Sequence, residues 1–158
     1  MAWLKRLKIT GLRNITQASL SDFARFNVFY GANGAGKTSL LESIHMLGLA
    51  RSFRGAKSRP LVNRQAAACT VFGQCSSGSR QATLSNIGVH KVVGDSTRLR
   101  LNGAPLLSAA ELATSLPLQV LNADSFQLLL GSPRLRRQYM DWGVFHVEHT
   151  FLSDWRSF

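Results

Sequence analysis

At 158 residues, 45% of them hydrophobic, the chain suits one domain with an ordinary buried core. No apolar run approaches the roughly 18 residues that cross a bilayer, and Lys5, Arg6 and Lys8 fall where a signal peptide would be apolar, so a cytoplasmic protein is expected. Lys and Arg number 19 against 8 Asp and Glu, a formal charge of +11, which favours a polyanionic partner; with no basic amphipathic helix bearing large apolar anchors, nucleic acid is expected ahead of membrane.

Residues 3–9 mix apolar and basic side chains as a first strand would, and Gly11-Leu12-Arg13-Asn14 turns the chain into a second strand at 15–20. The apolar run 26–30 predicts a short buried strand, ending in Tyr30. It feeds the segment Gly31, Ala32, Asn33, Gly34, Ala35, Gly36, Lys37, Thr38, after which Leu40, Leu41, Ile44 and Leu47 recur at helical spacing.

That segment is an unbroken G-x-x-x-x-G-K-T loop between strand and helix, which makes a nucleoside triphosphate the expected ligand. Glycine permits backbone angles and close approach that a Cβ forbids, so successive N–H groups can point at phosphates. Lys37 supplies a compact positive charge, and the Thr38 hydroxyl suits Mg²⁺. The following helix offers its partly positive N-terminus, where Ser39 also lies.

Residues 51–65 combine Gly, Ser and Pro with five basic side chains and no period, which predicts a surface loop. Short strands are then predicted at 69–75, 80–86, 89–93 and 98–101, with Asn102-Gly103 as a two-residue hairpin turn. Ser108-Ala109-Ala110-Glu111 is a capping box opening a helix to about Ser115. Residues 118–121 read as another buried strand, Ser132-Pro133 starts a helix over 134–142, and 145–158 reads as helical, with Phe145, Phe151, Trp155 and Phe158 assigned to packing.

Between Glu42 and Asp95 there is no acidic residue, while Arg51, Arg54, Lys57, Arg59, Arg64, Arg80 and Lys91 accumulate. Irregular basic loops can follow a phosphate backbone without reading bases, so Arg51, Arg54, Lys57 and Arg59 are candidate DNA contacts. Cys69 and Cys75 have no metal-ligand spacing and are assigned to strands. His45, His90, His146 and His149 have no carboxylate or serine partner in recognisable spacing and are assigned structural roles.

Gly11-Leu12-Arg13-Asn14, the phosphate loop continuing through Ser39-Leu40-Leu41-Glu42-Ser43-Ile44, Gly48-Leu49-Ala50-Arg51-Ser52-Phe53-Arg54, and the stretch from Gly131-Ser132-Pro133 to Trp142 together resemble the amino-terminal part of the RecF family, relatives of SMC heads. The resemblance implies an α/β, ABC/SMC-type ATPase head lobe with mixed and antiparallel strands, an ATP-binding lobe over 1–130 and the start of a helical lobe over 131–158. It further implies ATP with Mg²⁺, an ATP-dependent homodimer, DNA association, RecO and RecR as partners, and a role in placing recombinase at single-strand gaps. In such heads Arg13 and Asn14 come near the nucleotide. The Walker B strand, signature loop and switch histidine of the family lie carboxy-terminal to these motifs, so a truncated head that binds ATP without efficient turnover is expected. Asp124 stands where the family has glutamate. Two alternatives stay open: a catalytically inactive nucleotide-dependent interaction module, and a fragment of a small-molecule P-loop kinase.

Overall fold

Six strands, all paired antiparallel, form one sheet: β1 (Ala2–Leu12), β2 (Ile15–Ser21), β3 (Ala68–Ser77), β4 (Leu84–Val92), β5 (Thr97–Leu101) and β6 (Ala104–Leu106), in the order β2-β1-β3-β4-β5-β6. The computed structural model of the chain describes residues 2–54, 61–77, 83–148 and 150–157. It divides into two compact units, Met1–Leu118 and Gln119–Phe158. The first holds the sheet, helix α1 (Lys37–Leu49) and helix α2 (Ala109–Ser115).

Alternation along the strands decides which face is buried. Leu7 and Ile9 of β1, Cys69, Val71 and Cys75 of β3, Ile87 and Val89 of β4 and Leu99 of β5 point to one side, where Leu40, Met46 and Leu47 of α1 meet them. Both cysteines are thus core residues, and burial pushes the Cys75 thiol up to about 11. Gly73 of β3 leaves space for α1: a Cβ there would stand 2.4 Å from a Leu47 methyl.

Gly11 has a stricter reason. Its φ is +65°, and a Cβ would meet the Ala68 carbonyl oxygen at 2.5 Å. Gly11→Ala is therefore expected to cost about 1–3 kcal/mol through strain at left-handed φ, read as a lower urea midpoint with an unchanged slope. An unchanged midpoint would contradict this account.

The Asn102-Gly103 hairpin forms as predicted, with φ of 51° and 86° joining Leu101 to its partner Ala104. The separate strands expected at 80–86 and 89–93 are instead one strand, β4. Its ladder with β3 runs unbroken from Ala68↔Val92 to Ser76↔Leu84, and Gly88 pairs with Phe72 within it, so this glycine does not punctuate the chain. Residues 80–82 lie outside the described residues. Ser108 caps α2 by accepting from the Ala110 N–H at 3.2 Å, and Leu112 on that helix is buried.

Two expected strands are absent. Residues 26–30 have no ladder partner among the described residues: Asn27 exchanges two bonds with the Ala24 backbone, and Phe26, Val28 and Tyr30 are exposed. An apolar run becomes a strand only where a neighbour completes its backbone hydrogen bonds. Residues 118–121 form no strand either, since Leu118 turns down against Gly48 of α1, which has no side chain in its way.

The second unit is helical: a 3₁₀ turn (Ala123–Phe126), α3 (Gln127–Leu130), α4 (Pro133–Val147) and α5 (Phe151–Ser157). Pro133 opens α4 as predicted, and the helix continues past Trp142 to Val147. Tyr139 and Trp142 stack along it with ring centres 6.4 Å apart.

Candidate functional site

The phosphate-loop segment leads straight into α1. Gly34 and Gly36 have φ of +85° and +97°, conformations only glycine adopts freely. Gly36 is the N-cap of α1 and no side chain caps it, so the N–H groups of the first turn remain available to an anion. The Lys37 ammonium donates to the Gly31 and Ala32 carbonyls at 2.7 and 2.9 Å, folding the loop over its own cation.

Asn14 fixes this loop from outside it. Its amide donates to the Gly34 carbonyl at 2.6 Å, and its carbonyl oxygen accepts from the Ser39 hydroxyl at 2.7 Å. One turn residue thereby joins the loop to the first turn of α1, leaving Thr38 exposed beside Lys37.

Arg13, in left-handed backbone conformation with φ 54°, reaches the other way. Its guanidinium donates to both carboxylate oxygens of Glu42, at 2.8 and 2.7 Å, a bidentate pair in which Glu42 is fully buried. The Ser52 hydroxyl donates to the same carboxylate and accepts from the Arg54 N–H at 3.0 Å. Burial pushes the Glu42 carboxyl up, but hydrogen bonds from Arg13 and Ser52 and the charges of Arg13 and Arg54 outweigh it and hold it below its ordinary value. Deeper along α1, His45 Nδ1 lies 2.7 Å from the Arg51 carbonyl and its ring packs edge-on against Phe53. Burial lowers its pKa, which leaves it a neutral donor at pH 7.

These elements enclose a cleft of about 780 Å³. Arg13, Asn14, Lys37, Thr38 and Ser39 line it together with Arg54, Asn63, Arg64 and Gln65. The last three are carried in by backbone pairing to the end of β1: Asn63 N–H donates to Gly11, Arg13 N–H donates to Leu61, and Leu12 bridges Val62. Sequence reasoning missed Glu42, Ser52, Asn63 and Gln65 as parts of the site. The apolar pair Leu61-Val62 inside an otherwise basic stretch, with Val62 buried, was the available signal.

Of the basic residues assigned to DNA, Arg54 lines the cleft and Arg51 is exposed away from it, while Lys57 and Arg59 lie outside the described residues. The side chain of Asp124 is likewise outside what is described. No carboxylate is among the described residues lining the cleft, and Glu42 behind it is committed to Arg13. The uncapped helix start, the loop N–H groups and the ammonium fit a triphosphate, and the exposed Thr38 hydroxyl beside them could serve a cation.

Comparison with known proteins agrees with this geometry. A family model described as the RecF/RecN/SMC N terminal domain matches residues 3–127. The chain is 51% identical over 153 residues to the DNA replication and repair protein RecF of Stutzerimonas stutzeri, and 49% identical to that of Pseudomonas syringae pv. tomato. Each alignment covers 97% of this chain and 41% of the relative, so the chain spans about two-fifths of the length of the curated relatives it matches. Among solved structures, the recombination mediator protein RecF with ATP superposes with a TM-score of 0.85 at 25% identity over 99% of this chain and 42% of that one. A structure from a study of ATP-driven dimerization of SMC ATPases matches with a TM-score of 0.67 at 17% identity over 89% of this chain and 98% of that one, a likeness of fold.

Proposed function

The chain belongs to the RecF/RecN/SMC N-terminal domain family, and we propose that it binds ATP with Mg²⁺ as part of a DNA repair ATPase head. Lys37 and the N–H groups from Gly31 to Gly36 hold the phosphates, Thr38 serves the metal, and Asn14 ties the loop to the first turn of α1. The observation that carries this reading is the pair of bonds by which Asn14 links the Gly34 carbonyl to Ser39. They set a glycine loop against an uncapped helix start, where an anion gains most.

Dimerisation over ATP, association with DNA at gaps, cooperation with RecO- and RecR-type proteins in recombinase loading, and a cytoplasmic setting complete the proposal. They rest on family membership and on the +11 charge. Calorimetric titration with ATP, with and without Mg²⁺, tests the core of it; an absence of binding in both would remove it.

Turnover is a separate matter. With no free carboxylate among the described cleft residues to position attacking water, the 158-residue chain alone is expected to release phosphate at a negligible rate. Sustained ATP hydrolysis abolished by Lys37→Ala would contradict this and make Asp124 the first carboxylate to mutate. The same lack of a free carboxylate favours, as a second reading, an ATP-dependent interaction module. DNA affinity measured with and without ATP separates the two.

A further inference from the structure

α1 and the cleft use one side of the sheet, and the other side has a distinct chemistry. No Asp or Glu occurs in any of the six strands. On the outward face Arg6, Lys8, Arg98 and Arg100 are all exposed. Register places them. Lys8 pairs with Phe72, Phe72 with Gly88 and Gly88 with Arg100, three strand spacings or about 14 Å from Lys8 to Arg100.

Arg6 stands about 7 Å to one side of this row and Arg98 about 7 Å to the other, each two residues along its strand. Arg6 falls in the row of Gln74 and Asn86, Arg98 in the row of His90, Thr70 and Thr10. The cations therefore form two pairs on a diagonal band. The floor between them is low, made of Gly88 and the half-buried Phe72, and the rows beside it carry the amides of Gln74 and Asn86, the hydroxyls of Thr70 and Thr10, and the His90 imidazole, whose Nδ1 is hydrogen-bonded with Thr70. Asp95, in the turn before β5, lies 3.5 Å from Arg98 with both side chains exposed, a pairing that water and salt screen.

We propose that this outer face binds the sugar–phosphate backbones of duplex DNA, Arg6 and Lys8 meeting one strand and Arg98 and Arg100 the other. The separation of the two pairs is close to the roughly 12 Å width of a major groove, whose edges are the two backbones. Single-stranded nucleic acid is the poorer fit, because such platforms present successive aromatic rings, whereas the rows between the cation pairs hold one, the half-buried Phe72, and Trp3 lies beyond Arg6 in the row of Ser76. The inference rests on the DNA association proposed above and gives it a surface apart from the Arg51–Arg54 loop.

Fluorescence anisotropy of a labelled duplex of arbitrary sequence, titrated with the 158-residue chain across a series of KCl concentrations, tests it. Lys8→Ala/Arg100→Ala removes one cation from each pair, and Arg51→Ala/Arg54→Ala serves as the comparison. The sheet variant is expected to flatten the log affinity against log salt slope by about 0.9 per lost contact, with circular dichroism and ATP affinity unchanged. Charge-retaining Lys8→Arg/Arg100→Lys should restore the slope. An unchanged slope in the folded sheet variant, with a reduced one in the loop variant, overturns the surface and leaves DNA association standing. Failure of the parent chain to bind duplex overturns both, and tighter binding of a single strand of equal length overturns the duplex assignment.

Discussion

Glu42→Ala is expected to destabilise the chain by about 3–5 kcal/mol, because it strands the Arg13 guanidinium in a buried position without its carboxylate. Chemical denaturation followed by circular dichroism measures it. The loss should exceed that of Arg51→Ala, whose side chain is exposed and bears on nothing comparable. Glu42→Gln keeps the shape and one acceptor and should fall between. A loss under about 1 kcal/mol in Glu42→Ala would place the pair with surface ion pairs, against its burial.

The pH dependence has a definite sign. The folded Glu42 carboxyl is held below its ordinary value, so its contribution is complete above pH 4.5 and is lost as pH falls through the folded pKa. His45 acts in the same direction at higher pH, since its lowered pKa makes the unfolded chain bind a proton first as pH drops below 6.5. Stability should therefore decline on the acid side in two stages, and His45→Gln should diminish the earlier one, to which His146, also lowered by burial, contributes as well.

The second large effect concerns Lys37. Removing a charge-assisted contact to phosphate should cost on the order of 2–3 kcal/mol, roughly thirtyfold or more in ATP affinity. The ammonium must leave the Gly31 and Ala32 carbonyls to reach a phosphate, so the net effect is that of an exchange of partners. Calorimetry on Lys37→Ala is the measurement, and Lys37→Arg should not rescue fully because a planar fork does not replace a point charge in a closed loop. Equal affinity for parent and Lys37→Ala would take Lys37 out of the site.

Where the determinants of structure are local, the sequence was legible. Asn102-Gly103 specifies its turn through backbone angles, Ser108 caps α2 through its own hydroxyl, and the glycine loop with Lys37 is a contiguous device. The Arg13–Glu42 pair joins residues 29 apart, and no pattern in either segment announces it. The same holds for Asn63 and Gln65, delivered to the cleft by pairing with β1. Errors arose where composition stood in for pairing. Residues 26–30 are apolar enough for a strand yet have no neighbour among the described residues, while Gly88 looked like a break but lies inside a continuous ladder.

The strand order also sets an order of events. From β3 to β6 each strand pairs with the next in sequence, so those ladders can close by hairpin steps on a timescale of about 1–10 μs. β1 and β3 meet across everything from Thr10 to Thr70, an excursion that contains the glycine loop, α1, Glu42 and the cleft arginines. Closing a loop of that length costs on the order of 3–4 kcal/mol of chain entropy before any pairing returns it. The meander can thus close by local steps, whereas the Asn63–Gln65 side of the cleft needs the longer closure that brings it to the end of β1.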